Sequence, residues 1–313
     1  MPNKKLFFPI LLTTLIFISC KEKPEEIRIV SLSTTHSEIT IELGGGEHLE
    51  AVDMFVNTSK YKDIKRVDSF NIDVAQIINL NPTHVFIAFP NEELQKELKN
   101  KMIQTILLPP AENLDQVYEQ INLISEILNK EKMGEEIINS MKKEANYVYS
   151  NTREDKRRIY HEVGYAYGLY AAGENSLVGS FYRELGFINI ADKAHSGVES
   201  GYPRVEERLV IVNNPEIIVI AHKESLTTGV KNRPNWGNIK AVETGNVIYL
   251  DEDLAKNWGV SSTKLLKQIA VDTGVLGVES ENKDVDLNIQ VYKALVAILL
   301  LIGLKKTKNK EKT

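Results

Sequence analysis

Residues 79–89 read NLNPTHVFIAF, and residues 212–222 read VNNPEIIVIAH. In both, Asn-Pro is followed by two variable residues, two β-formers and then Ile-Ala. Asn81 therefore matches Asn214, Pro82 matches Pro215 and Ala88 matches Ala221. Proline ends a helix and pushes the residue before it out of the α region. The apolar run that follows has the pattern of a strand covered on both faces of a parallel sheet. A chain that makes this helix-to-strand turn twice is expected to hold two similar α/β lobes.

The surroundings of each copy agree. Ahead of the first, IRIVSLS (27–33) reads as a strand leading into a polar loop with His36. A helix from Ser37 follows, closed by Gly44 to Gly46, and then a strand over Leu49 to Val52. Asp73 is placed to cap a helix bearing Ile77, Ile78 and Leu80, and MIQTILLP (102–109) gives a further strand. Around the second copy, RRIYHEVG (157–164) reads as a strand, SLVGSFYRELG (176–186) as an amphipathic helix and RVEERLVIVNNP (204–215) as a helix stopped by proline. WGNIKAVETGNVIYLD (236–251) then gives helix, turn and strand, and SSTKLLKQIAVDTG (261–274) a last helix. Between the halves, residues 113–151 keep helical apolar spacing with no proline and the single glycine Gly134. They are expected to form two consecutive helices, the second bridging the lobes stiffly.

The chain of 313 residues, 42% hydrophobic and 26% charged, suits two soluble domains. A net charge of −5 gives no basis for a nucleic-acid partner. The lone cysteine, Cys20, excludes an intramolecular disulfide. It ends MPNKKLFFPILLTTLIFISC, in which Lys4 and Lys5 precede an apolar run from Leu6 to Ile18 and a small residue, Ser19. That order is a secretory signal over 1–19, and a terminal Cys resembles a lipobox, with Phe17 where Leu is usual. Cys20 is thus the expected lipidation site, anchoring the chain to the cell-envelope membrane, with 20–27 as tether. The expected lobes cover 28–112 and 152–278, and 279–313 form an atypical tail. The tail's apolar run from Ala294 to Leu304 would reach about 16 Å as a helix, against roughly 30 Å of bilayer hydrocarbon.

No nucleophile elbow, Walker loop or dinucleotide fingerprint is present, so no enzyme activity and no cofactor are expected. The six histidines lack close ligand spacing, so no metal site is assigned.

Three stretches together resemble the substrate-binding proteins of the vitamin B12 and iron-siderophore ABC importers: RIVSLSTTHSEITIELG (28–44), IINLNPTHVFIA (77–88) and AAGENSLVGSFYRELGFINIAD (171–192). The Ala-Val-x-x-Gly-x-Val turn within 236–251 adds to them. The resemblance implies two α/β lobes with mostly parallel sheets, joined by a long rigid helix. A ligand, either a corrinoid or a ferric chelate, would lie in the cleft between them for delivery to an ABC permease.

Ligands of open α/β sheets bind beyond the carboxyl ends of strands. The candidates there are His36, Phe55, Phe70 and Asn91 from the first half. From the second come Tyr165, Tyr167, Tyr170, Tyr202, His222 and Trp258. Aromatic faces suit a large flat ligand. Relatives carry a glutamate on each lobe to dock on permease arginines; the corresponding places hold Ala75 and Arg208 here, with Asp73, Glu206 and Glu207 beside them as substitutes. Alternatives are a Zn, Mn or haem importer component, with Ser69 standing where haem-binding relatives place a tyrosine, or a surface lipoprotein that has lost transport.

Overall fold

The computed structural model describes residues 26–56, 63–165, 167–194, 201–223 and 229–277. The expectations for the leader, Cys20, most of the tether and the tail with its apolar run fall outside them. Among the described residues, no helix is long and apolar enough to cross a membrane.

The first lobe runs β1 (Ile29–Ser31), α1 (Thr34–Glu42), β2 (Leu49–Asp53), β3 (Lys65–Val67), α2 (Val74–Asn79), β4 (His84–Ile87), α3 (Glu92–Asn100) and β5 (Gln104–Leu107). Its five strands are all parallel, in the order β3-β2-β1-β4-β5. Alternate residues serve opposite faces. Ile29, Val52 and Phe86 join one core, whereas Val30, Ala51, Val85 and Ile87 join another with Ile77, Leu94 and Leu98. Both faces are covered, which is why these strands read as continuous apolar runs.

Two helices follow, α4 (Leu114–Ile127) and α5 (Glu131–Asn151). Asn113 caps the first, accepting the Gln116 amide at 3.0 Å. Val117, Ile121 and Ile124 line one face of α4, and Ile138, Met141, Ala145 and Val148 one face of α5.

The second lobe runs β6 (Arg158–Gly164), β7 (Leu169–Ala171), α6 (Leu177–Glu184), β8 (Ile188–Asn189), β9 (Arg204–Val205), α7 (Glu207–Asn213), β10 (Ile217–Ile220), α8 (Lys240–Glu243), β11 (Val247–Tyr249), α9 (Glu252–Ala255) and α10 (Ser262–Asp272). Its sheet has the order β11-β10-β6-β7-β9, with β8 also beside β6. Here the second half departs from a simple repeat of the first, because β7 is antiparallel to both β6 and β9.

The echoed turn is built alike in both lobes. Asn81 and Asn214 end α2 and α7 in the left-handed region, at φ 50° and 43°, which asparagine tolerates better than most residues. Each strand then pairs in parallel with the first strand of its lobe, β4 with β1 and β10 with β6. An arginine stands at the start of that first strand in both, Arg28 just ahead of β1 and Arg158 as the first residue of β6. Arg28 donates to the Asn81 carbonyl at 2.6 Å and Arg158 to the Asn214 carbonyl at 3.3 Å. The Arg28 amide meets the Thr83 hydroxyl and the Arg158 amide meets the Glu216 carboxylate.

The lobes share a core. One continuous cluster holds Ile29 and Phe86 of the first sheet, Ile159, Ile217 and Val219 of the second, and the inner faces of α4, α5, α6 and α10. α1 starts earlier than the sequence suggests: Ser33 caps it through the His36 amide, so His36 lies inside the helix and not in a loop.

Candidate functional site

The carboxyl ends of β1, β2, β3 and β4 open on a cavity of about 890 Å³ between the lobes. Two wall segments share a local device. In Asp53-Met54-Phe55 the Asp53 Oδ1 accepts the Phe55 amide at 2.9 Å, and in Asp68-Ser69-Phe70 the Asp68 Oδ1 accepts the Phe70 amide at 2.9 Å. An aspartate that folds the chain onto its own side chain two residues on makes a tight turn, and each turn presents a phenylalanine. Phe55 and Phe70, 62% and 81% exposed, meet edge to face with centroids 5.9 Å apart. Phe89 and Pro90 follow β4, and Asn91 caps α3 by accepting the Leu94 amide at 2.9 Å.

The opposite wall comes from residues 252–258. Asp251 caps α9, accepting the Leu254 amide at 2.9 Å, and so places Glu252, Asp253 and Lys256 at the cavity. Asn257 ties the lobes together: its Nδ2 meets the Glu38 carboxylate, and its Oδ1 accepts the Thr35 hydroxyl at 3.3 Å and the Gly259 amide at 2.8 Å. Trp258 completes the wall.

Among the described residues, the lining carries four carboxylates, Glu38, Asp53, Glu252 and Asp253, against one ammonium, Lys256. Lys256 and Lys223 both pair with Glu252, the latter at 3.1 Å. Burial, and then the nearby Asp253 and Glu42 charges, hold the Glu38 carboxyl above its ordinary range, against the hydrogen bond from Asn257.

Phe55, Phe70, Asn91 and Trp258 of the sequence candidates line the cavity. His36 does not reach it. Its ring is fully buried, 3.2 Å from the Gln120 side chain and edge-on to Trp258, and burial lowers its pKa from 6.5 to about 4. The second-lobe tyrosines and His222 also lie away from the lining. Tyr165 carries the Arg233 guanidinium 4.0 Å above its ring, and Tyr167 is 91% exposed on the turn between β6 and β7. Tyr170 is half-buried in β7, and Tyr202 packs half-buried against the shared core. His222 is buried beside Glu162 at 2.8 Å, and Arg233 grips the same carboxylate at 2.6 and 2.7 Å. Of the second-lobe candidates, Trp258 lies in the lining, beside Glu252, Asp253 and Lys256 of the acidic segment after β11.

Asp53, Glu38 and Asp253 were not anticipated. Asp53 carried a usable signal, since it is the last residue of a strand and sits where parallel sheets bind ligands. Asp73 is exposed at the cap of α2, and Glu206 and Glu207 are exposed at the start of α7. These are equivalent positions in the two lobes, and Ala75 and Arg208 are exposed beside them. Among the described residues, no group of three or more His, Cys, Asp or Glu side chains is placed to hold a metal ion.

A family described as "Periplasmic binding protein" matches residues 29–254. An uncharacterized ABC transporter substrate-binding lipoprotein of Bacillus subtilis strain 168, YvrC, is 23% identical over 265 residues, 81% of either chain. The Fe(3+)-citrate-binding protein YfmC of the same organism is 28% identical over 167 residues, 52% of this chain and 51% of that one. The crystal structure of the periplasmic vitamin B12-binding protein BtuF of Vibrio cholerae superposes with a TM-score of 0.66 at 19% identity, covering 79% of this chain and 96% of that one.

Proposed function

The chain belongs to the periplasmic binding protein family, and from that premise we propose that it is an envelope lipoprotein holding a corrinoid or ferric chelate between its lobes. It is the substrate-binding component of an ABC importer. The supporting observation is the cavity itself. Its volume of about 890 Å³ suits a bulky ligand, and Phe55, Phe70, Phe89 and Trp258 offer apolar faces to it. The names of relatives fit, since one is called a ferric citrate binder and a structure of the same fold a vitamin B12 binder. Haem is less favoured, because Ser69 stands in the lining where a tyrosine ligand would be needed. Cys20 is proposed as the lipid attachment site, and Asp73, Glu206 and Glu207 as the permease contacts.

Titration of the tryptophan emission with cyanocobalamin, ferric hydroxamates, ferric citrate, haem and Zn²⁺ tests this. Saturable binding of a corrinoid or ferric chelate is the expected result. Binding of Zn²⁺ alone, or of none of them, would overturn it. Phe70→Ala is expected to weaken that binding by about 1–2 kcal/mol, from lost ring burial, while Tyr167→Ala leaves it unchanged. Arg208→Glu is expected to strengthen association with the permease in a pull-down; no change would remove the α7 start from the contact.

A further inference from the structure

The lining of the cleft has more to say about its occupant than size and apolarity. Asp53 is 2% exposed yet belongs to that lining. Its Oδ1 is occupied by the Phe55 amide and, at 3.4 Å, by the Thr34 hydroxyl. Its Oδ2 has no hydrogen-bond partner among the described residues. The guanidinium of Arg66 reaches the backbone carbonyls of Asp53 and Val56. A buried carboxylate oxygen without a donor is costly and is satisfied when a donor arrives.

Glu38 on the same lobe and Asp253 across the cleft add negative charge, and Lys256, the one lining ammonium among the described residues, is drawn to Glu252. Burial chiefly raises the Glu38 carboxyl, and the part that Asp253 adds by repulsion would be relieved by a positive charge placed between the walls. The aromatic rings act in the same direction. Phe55, Phe70 and Phe89 are exposed at the cavity, and ring faces attract cations. Carboxylates and ring faces together disfavour an anionic chelate, whose charge would meet like charge in a partly desolvated space.

Resting on the reading of the cavity as a chelate-binding cleft, we infer that its ligand carries net positive charge and that Asp53 is the residue selecting for it. The chemistry is that of a corrinoid with an uncompensated metal charge, or of a ferric trihydroxamate bearing a free ammonium.

Two pairs of nearly isosteric ligands separate charge from shape. Ferrioxamine B is a cation and its N-acetyl derivative is neutral; aquocobalamin is a cation and cyanocobalamin is neutral. Calorimetric titration of the wild-type protein at pH 7 and low salt is expected to show one cation binding at least tenfold tighter than its neutral partner. Ferric citrate is expected to bind weakest. The preference should shrink several-fold in Asp53→Asn and in 0.5 M salt. Asp53→Asn preserves the two acceptor contacts of Oδ1, and its circular dichroism and melting curve verify folding. Equal binding within each pair, preference for ferric citrate, or a charge preference unchanged in Asp53→Asn would overturn the inference and leave the chelate-binding reading standing. Absence of binding by all five ligands would overturn both.

Discussion

Glu162 shows how much one side chain carries. It is fully buried and receives both Arg233 and His222, while Arg233 lies between the Tyr165 ring at 4.0 Å and the Trp236 ring at 4.5 Å. Removing its charge takes a carboxylate from a buried guanidinium, so Glu162→Gln is expected to cost about 3–5 kcal/mol in urea unfolding; a loss below about 1 kcal/mol would contradict this. Histidines set the acid limit. Burial lowers His36 from 6.5 to about 4 and His161 from 6.5 to about 3. The unfolded chain takes up these protons first, so stability supplied by the neutral rings above pH 6.5 drains away as pH falls through those values. Melting temperatures from pH 7 to pH 4 should fall, and His36→Gln should flatten part of the slope. Neither role was legible in the sequence. His36 looked like a loop residue because Ser33 was not recognised as a cap, and His222 looked like a cleft residue because Glu162 and Arg233 are distant in the chain. The acids of the cleft were hidden for a different reason, since carboxylates usually mark solvated surface and only the fold turns these inward.

Elements were far easier to foresee than sites. β4 and β10, with the helices before them, follow from local chemistry alone: an apolar run, an asparagine able to adopt positive φ, and a proline. The helices of 113–151 follow from apolar periodicity over several turns. β7 and β9 escaped notice because three and two residues are too short to show a period, and their pairing depends on contacts remote in sequence. The turn geometry itself can be tested at Asn81, whose side chain makes no hydrogen bond among the described residues that would compete with the backbone role. Asn81→Ala is expected to cost about 1 kcal/mol, because alanine tolerates φ 50° less well than asparagine. Asn81→Gly should be nearly neutral in the same equilibrium unfolding measurement. Equal losses in the two variants would show that the left-handed turn is not what the asparagine serves.

On the scale of the whole molecule, the decisive feature is that the lobes share a core besides the smaller one that each keeps on its outer face. α4, α5 and α10 contribute to one cluster that reaches both sheets, and Asn257 bonds directly across to Thr35 and Glu38. Calorimetric unfolding is therefore expected to show one cooperative transition, with matching calorimetric and van't Hoff enthalpies; two resolved transitions would mean that the lobes melt apart. The linking helix, Glu131–Asn151, spans about 30 Å at 1.5 Å per residue and packs along its length on α4 and α10. Two lobes braced in this way have little room to hinge. A binding protein without a closing motion presents nearly the same outline whether its cleft is filled or empty. The receiving transporter then cannot screen its visitors by shape, and vacant molecules compete with loaded ones for the same landing place. Transport through a reconstituted importer should accordingly slow as vacant protein is added in excess at fixed ligand.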